Sequence, residues 1–423
     1  MNFKKLWARI KRHPLSKVGP GMVTGVADDD PSGIVTYSQA GAQFGLNMLW
    51  TMPVAYPLQS AIQVLCAQMG RVTGQGLAAN IKTSFSPIIA FFLVLSLLVA
   101  NILNIAADIA AMGEVAQLVT GINWHVMTSI FVFISLGLQV FMPYHRYVFY
   151  LKWLTLSLLT YAGVLFTVHV PWKDVLWSTF IPTLSLNAES AAMVVGILGT
   201  TISPYLFFWQ ASQEVEDMRI GRKKPLLSEN RAVGQWEIRR IRWDTWGGMC
   251  YSNVAAYFII LATAVTLNAA GIRDITTAEH AAEALRPVAG DLAYLLFALG
   301  ILGVGLIAVP VLAGSAAYAL SDLLGWQSSL EHTVMQDKKF YFVIAVSVMG
   351  ALIIQFSPIN PMKALFWSAV INGVVAVPLM VAILILARRH SVMGPYKANR
   401  LNLGLGWFAT ALMAAASLFM LLG

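Results

Sequence analysis

Three consecutive carboxylates, Asp28, Asp29 and Asp30, stand directly before Pro31 in GPGMVTGVADDDPSGIVTYSQAGAQFG, a stretch otherwise apolar enough to enter a bilayer. An ionised aspartate at mid-bilayer costs at least about 2.5–3.5 kcal/mol on insertion scales, so acids placed there face a cavity or a ligand rather than lipid. Carboxylates are hard, anionic oxygen donors, and the chemistry they suit is capture of a cation. Pro31 has no amide hydrogen and biases Asp30 away from helical geometry, while Ser32 and Gly33 add local freedom. The helix should therefore unwind around Asp30. Unwound backbone at membrane depth is tolerable only where it is buried in protein or lines a cavity, and its carbonyls then become open to a ligand.

A second interruption, Gly199-Thr200-Thr201-Ile202-Ser203-Pro204, breaks the apolar run AAMVVGILGTTISPYLFFWQASQEVED near its middle, five spans after the first. Two interrupted spans at corresponding places in two five-helix halves point to a 5+5 inverted repeat, a secondary transporter with its substrate site at the bilayer midplane. Prolines that merely kink packed helices would leave the buried acids unexplained. The residues at the breaks are candidates to contact the cargo: Asp30, Ser32 and Gly33 in the first and Thr200, Thr201 and Ser203 in the second. Three adjacent acids on a helix point about 100° apart, so Asp30, beside the break, is the expected ligand. Asp28 and Asp29 are then candidates for a vestibule or proton path, with at least one of the three acids protonated when no cation is bound. Asp108 in the third span and Asn372 in the tenth are further buried polar candidates to line the site or vestibule, although an asparagine serves equally well as interhelical glue.

Composition requires the elements that position these groups to be membrane helices. Of 423 residues, 58% are hydrophobic and 11% charged, against roughly 45–50% and 25% in a soluble domain. About eleven segments reach the roughly 20 apolar residues that a span needs, centred near Gly33, Gln59, Leu97, Ile134, Thr160, Thr201, Tyr257, Val304, Val348, Val374 and Met413. The reading is an all-α integral membrane protein with a basic cytoplasmic tail (1–18), one membrane domain (19–423) and a polar cytoplasmic loop at about 217–244. Of its 28 basic residues, about 24 fall on one set of alternating loops, with Lys173, Arg273, Arg286 and Lys363 opposite. The excess marks the cytoplasmic side, so the N-terminus is expected inside and the C-terminus outside, in the plasma (inner) membrane of a bacterium. The net charge of +8 follows from this topology rather than from nucleic-acid binding. Cys66 and Cys250 show neither disulfide nor zinc spacing. No nucleotide-binding glycine pattern and no HExxH is present, so neither an enzyme nor a resident cofactor is expected.

With these residues in view, the chain resembles the NRAMP family of divalent-metal transporters. The family pattern GPG, DPGN, AGAQFG and LW is similar to Gly19-Pro20-Gly21, Asp30-Pro31-Ser32-Gly33, Ala40 through Gly45 and Leu49-Trp50, and continues in Gly70, Val72-Thr73-Gly74 and Leu77-Ala78. The resemblance implies a LeuT-type fold with helices 1 and 6 broken around the substrate. It also implies that the metal is held by the Asp and Asn of DPGN and by the alanine carbonyl and methionine sulfur of A-x-x-M-P-H. Here Asp30 is kept, the Asn position is Gly33, and the sixth-helix positions are Thr200, Ser203, Pro204 and Tyr205. Without the soft thioether the expected cargo shifts to a hard divalent cation such as Mg²⁺ or Mn²⁺. In the third helix, Asp108 matches the family's aspartate of the proton path, while its glutamate position is Ala111.

The leading expectation is an NRAMP-like carrier of a divalent cation, the substrate rather than a cofactor, working by alternating access with protons able to couple. The expected partners are that cation and the lipid bilayer, not nucleic acid. The sequence carries no signal for oligomeric state. Two alternatives stand beside it: a LeuT-fold carrier of a small organic solute or organic cation, and a non-transporting sensor or scaffold acting through the Glu214–Asp244 stretch.

Overall fold

The computed structural model describes residues 19–142, 159–183, 187–221, 224–228, 231–330, 332–354 and 360–422, and their regular structure is entirely helical. The basic tail and much of the fifth expected span lie outside the described residues. The α-helices are α1 (Pro20–Asp28), α2 (Pro31–Phe44), α3 (Thr51–Thr73), α4 (Leu77–Ser84), α5 (Pro87–Thr120), α6 (Trp124–Phe141), α7 (Leu159–Val164), α8 (Trp172–Phe180) and α9 (Ala188–Thr201). They continue as α10 (Pro204–Ile220), α11 (Arg231–Thr263), α12 (Ala278–Glu283), α13 (Arg286–Ala289), α14 (Ala293–Leu324), α15 (Lys338–Ile354), α16 (Pro361–Arg388), α17 (His390–Met393) and α18 (Arg400–Leu422).

Among the described residues, seven stretches are long and apolar enough to cross a membrane: 87–120, 124–141, 188–220, 233–268, 290–324, 361–388 and 400–422. The first expected span does not appear as one helix because it is split between α1 and α2. The second, α3, is long enough but carries buried Gln59, Gln63, Gln68 and Arg71. The stretch from Glu214 to Asp244 is mostly helical rather than an open loop, since α10 runs to Ile220 and α11 begins at Arg231. Its charges explain this. Arg240 bonds Glu214 at 2.6 Å and Glu237 at 2.9 Å, tying the start of α11 to the end of α10. The two thiols also differ: Cys66 is buried and Cys250 exposed. Trp172, Trp177 and Trp407 are exposed near helix ends, as interfacial anchors should be, whereas Trp50 is buried.

Both interruptions share one backbone geometry. The residue closing each first half has left the helix, Asp29 at φ −84°, ψ 62° and Ile202 at φ −109°, ψ 54°. The next is extended, Asp30 at φ −74°, ψ 169° and Ser203 at φ −75°, ψ 131°, and a proline then opens the second half. Proline suits that first helical position because its missing N–H would have had no partner there. Two residues therefore suffice for each break.

Small residues let the broken helices approach their neighbours backbone to backbone, the usual device of packing in lipid. A Cβ on Gly25 would lie 2.2 Å from the Gly248 carbonyl oxygen of α11, and one on Gly199 would lie 2.1 Å from the Ala369 carbonyl oxygen of α16. The Gly-Pro-Gly opening of α1 has its own partner. Asp244 of α11 accepts from the Gly19 amide at 3.1 Å and the Gly21 amide at 2.7 Å, capping a helix start that has no local side-chain cap. Asp244→Ala should cost about 1–3 kcal/mol, as loss of a charged acceptor and a cap does. A lowered thermal midpoint in detergent, partly recovered in Asp244→Asn, is the expected readout.

Candidate functional site

Asp30 is the N-cap of α2. Its Oδ1 accepts from the Gly33 amide and the Ser32 hydroxyl, both at 2.7 Å. Its Oδ2 accepts from Asn104 Nδ2 of α5 at 3.0 Å and from the Tyr205 hydroxyl of α10 at 3.3 Å. The Tyr205 hydroxyl also lies 3.2 Å from the Ala27 carbonyl oxygen, so its single proton is divided between the two halves of the first break. Asn104 is itself held by Ser368 of α16, whose Oγ donates to Asn104 Oδ1 at 2.7 Å. One carboxylate thus ties together both breaks, α5 and α16, while only 1% exposed.

The missing side chain at Gly33 is what lets α9 close in. A Cβ there would lie 2.9 Å from Thr200 Oγ1 and 3.4 Å from Asp30 Oδ1, so the Thr200 hydroxyl occupies the space beside the carboxylate. That hydroxyl lies beside the Tyr37 hydroxyl, and both residues are buried. Thr201 and Ser203 behave differently. The Thr201 hydroxyl donates to the Ile197 carbonyl at 2.9 Å and the Ser203 hydroxyl to the Thr200 carbonyl at 2.6 Å, which satisfies the frayed end of α9. Of the six candidate ligands, Asp30, Ser32, Gly33 and Thr200 meet at one point, whereas the hydroxyl protons of Thr201 and Ser203 are turned into their own helix.

Asp28 and Asp29 face α11. Ser252 Oγ lies 2.5 Å from Asp28 Oδ2 and 3.0 Å from Asp29 Oδ1, and the outer oxygens, Asp28 Oδ1 and Asp29 Oδ2, are buried without a partner. One hydroxyl proton cannot satisfy both carboxylates at once. Asp108 lies against the Ser32 backbone amide at the start of α2, with both carboxyl oxygens buried and no completed hydrogen bond. Asn372 is fully buried and its amide is unpartnered; the residue of α16 that joins the Asp30 network is Ser368, one turn earlier.

Asn104, Ser252, Tyr205 and Ser368 are the members that spacing alone did not single out as ligands or positioning groups. Asn104 stands one turn before Asp108 in the same apolar span, so the criterion that selected Asp108 also selects it. Ser252 and Ser368 carried no such signal, because a serine in a membrane helix commonly bonds its own backbone.

No basic side chain bonds Asp28, Asp29, Asp30 or Asp108 among the described residues, and the carbonyl ends of α1 and α9 add negative partial charge. The arrangement suits a cation and repels an anion. Among the described residues no three His, Cys, Asp or Glu side chains form a metal-binding cluster, so a metal here would take one charged oxygen and several neutral ones. A cavity of about 790 Å³ opens beyond Val35, between the ends of α2, α9 and α16, with Gln39, Gln43, Glu189 and Phe366 in its walls. Towards the opposite end the helices are locked: besides the Arg240 pairs, Glu216 accepts from the Tyr318 and Ser329 hydroxyls, each at 3.0 Å.

The model of the natural resistance-associated macrophage protein-like family, Nramp, matches residues 21–423. The chain belongs to the Nramp family. Curated relatives include the divalent metal cation transporter MntH of Klebsiella pneumoniae, 24% identical over 419 residues with 97% of this chain and 94% of the relative covered. The protein of the same name from Deinococcus radiodurans is 24% identical over 418 residues, covering 97% and 90%. Among solved structures, the Eremococcus coleocola manganese transporter superposes with a TM-score of 0.75 at 17% identity, covering 95% of this chain and 85% of that one. A Na⁺-coupled sialic acid symporter superposes with a TM-score of 0.59 at 12% identity, covering 94% and 88%. The Nramp chain thus has the LeuT-type fold expected of it, and none of these relatives is an enzyme.

Proposed function

We propose that this Nramp-family chain is a secondary transporter that moves a divalent metal cation across the membrane by alternating access, with a hard ion, Mg²⁺ or Mn²⁺, as preferred cargo. The observation that carries the reading is the set of groups around Asp30. Ser32, Asn104, Tyr205 and the Thr200 hydroxyl beside it offer oxygen and nitrogen only, and none of the side chains bonded to Asp30 carries sulfur. Hard divalent cations favour carboxylate, carbonyl and hydroxyl oxygens, and Mg²⁺, which dehydrates reluctantly, keeps waters that need few protein ligands. In this reading the 790 Å³ cavity is the outer entrance, Glu214, Glu237 and Arg240 hold the cytoplasmic side shut, and the N-terminus is cytoplasmic.

Uptake of Mn²⁺ into proteoliposomes, measured with Mg²⁺ and Cd²⁺ as competitors at two pH values, tests the proposal. Mg²⁺ should compete at least about tenfold better relative to Cd²⁺ than at a thioether-containing site, since removing the soft ligand removes the preference for soft ions. Affinity should fall as pH is lowered, because protons and cation compete for the same carboxylates. Transport of an organic amine with no divalent-metal flux would instead support the organic-cation reading.

A further inference from the structure

At the basic end of the molecule, the turn from α16 to α18 encloses a cavity of about 410 Å³ that the transport site does not use. Its rim is Arg388, Lys397 and Arg400, and its floor is Leu403, Gly404 and Trp407. The three cations are exposed and make no hydrogen bond or ion pair among the described residues, and no acid lines the cavity. Their neighbour Arg389 is committed elsewhere, donating to the Ser84 carbonyl at 2.6 Å and lying over the Phe85 ring. The turn itself is held in place, with the Ala398 amide donating to the Ala387 carbonyl at 3.1 Å. The backbone of the turn is therefore held, and it presents three exposed positive charges around the cavity.

We propose that this cavity binds the phosphate headgroup of an anionic phospholipid. The 28 residues of α16 rise about 42 Å at 1.5 Å per residue, more than the roughly 30 Å of hydrocarbon in a bilayer, so its last residue, Arg388, reaches headgroup level. Basic pockets between membrane helices are suited to anionic headgroups. The floor supplies the other half of a phospholipid. Gly404 is exposed and nothing lies within 4 Å of a Cβ built on it, so the helix surface beside the exposed Trp407 is an open apolar face along which the start of an acyl chain can run. Inorganic phosphate shares the headgroup chemistry but has nothing to lay on the apolar face of Leu403 and Trp407, and that face is why lipid is the assigned ligand. The site depends on the chain lying in a membrane and not on which cargo it carries.

Native mass spectrometry of the full-length protein, titrated with phosphatidylglycerol in the absence of metal, tests the assignment. At about fivefold per cation near a membrane surface, Arg388→Ala/Lys397→Ala/Arg400→Ala should weaken phosphatidylglycerol binding roughly 100-fold. Gly404→Trp, which keeps every charge and places an indole over the cavity lining, should also weaken it, while Lys82→Ala, a basic residue of the same face outside the cavity, should not. Phosphatidylcholine should bind wild type no better than the triple variant. Unchanged phosphatidylglycerol affinity in the triple variant or in Gly404→Trp, or displacement of the bound lipid by millimolar inorganic phosphate, overturns the proposal.

Discussion

Asp30→Asn is expected to reduce saturable Mn²⁺ or Mg²⁺ uptake by about 100-fold or more while the protein stays folded. The substitution is nearly isosteric, and the asparagine carbonyl can still accept from the Gly33 amide and the Ser32 hydroxyl that now bond Asp30 Oδ1. It removes the carboxylate that bonds groups from both breaks. Losing a group that merely supports a metal ligand typically costs 10–100-fold in affinity, so losing the charged ligand itself should cost at least the upper figure. Stability should change little, because relief of a buried carboxylate without a basic partner offsets the new amide nitrogen's facing the Asn104 and Tyr205 donors that now bond Oδ2. Flux and thermal midpoint must be measured on the same preparation. Wild-type uptake by a folded Asp30→Asn protein would remove the basis of the transport proposal, and loss of binding with an intact midpoint would support it.

The largest expected effect on folding comes from Gly199→Val. A Cβ at this position would meet backbone atoms, the Ala369 carbonyl oxygen at 2.1 Å and the Gly373 amide nitrogen at 2.5 Å, so no rotamer change relieves the overlap. Overpacking a fitted interior typically costs 1–3 kcal/mol, and separating two helices along their backbones should cost about 3 kcal/mol or more. The same step also displaces Thr200, so any protein recovered should have lost uptake too. Gly137→Val, on α6 with nothing within 4 Å of its Cβ, is the matched control and should leave the midpoint within about 0.5 kcal/mol of wild type. A Gly199→Val protein as stable as that control would show that α9 and α16 have room to part.

Much of the fold was legible in the residues because lipid imposes a single rule on the backbone: every amide must be satisfied within a helix or beside a cavity. Long apolar runs therefore announced helices, and acids and prolines inside them announced the two breaks. Legibility failed where polarity and burial coincide. The stretch from Glu214 to Asp244 read as a solvated loop because it is charged, yet Glu214 and Glu237 are buried and paired with Arg240. Spacing cannot tell a charge facing water from one facing its partner.

Thr201 and Ser203 belong to the candidate ligand set by their place in the second break, and the structure aims their hydroxyl protons at the carbonyls of α9. Side-chain direction at a helix end depends on which orphan carbonyls need a donor, and the pattern of residue types does not contain that information. The sequence by itself determined that the chain lives in a bilayer, that it opens at Asp30 and Ser203, and that Asp30 is the charge beside the opening, since these follow from local chemistry and hydropathy. Only the tertiary structure decided which neutral groups surround that charge. Asn104, Tyr205 and Ser368 reach it from 74, 175 and 338 positions along the chain, directly or through one another. Packing brings such residues together, and no local pattern encodes it.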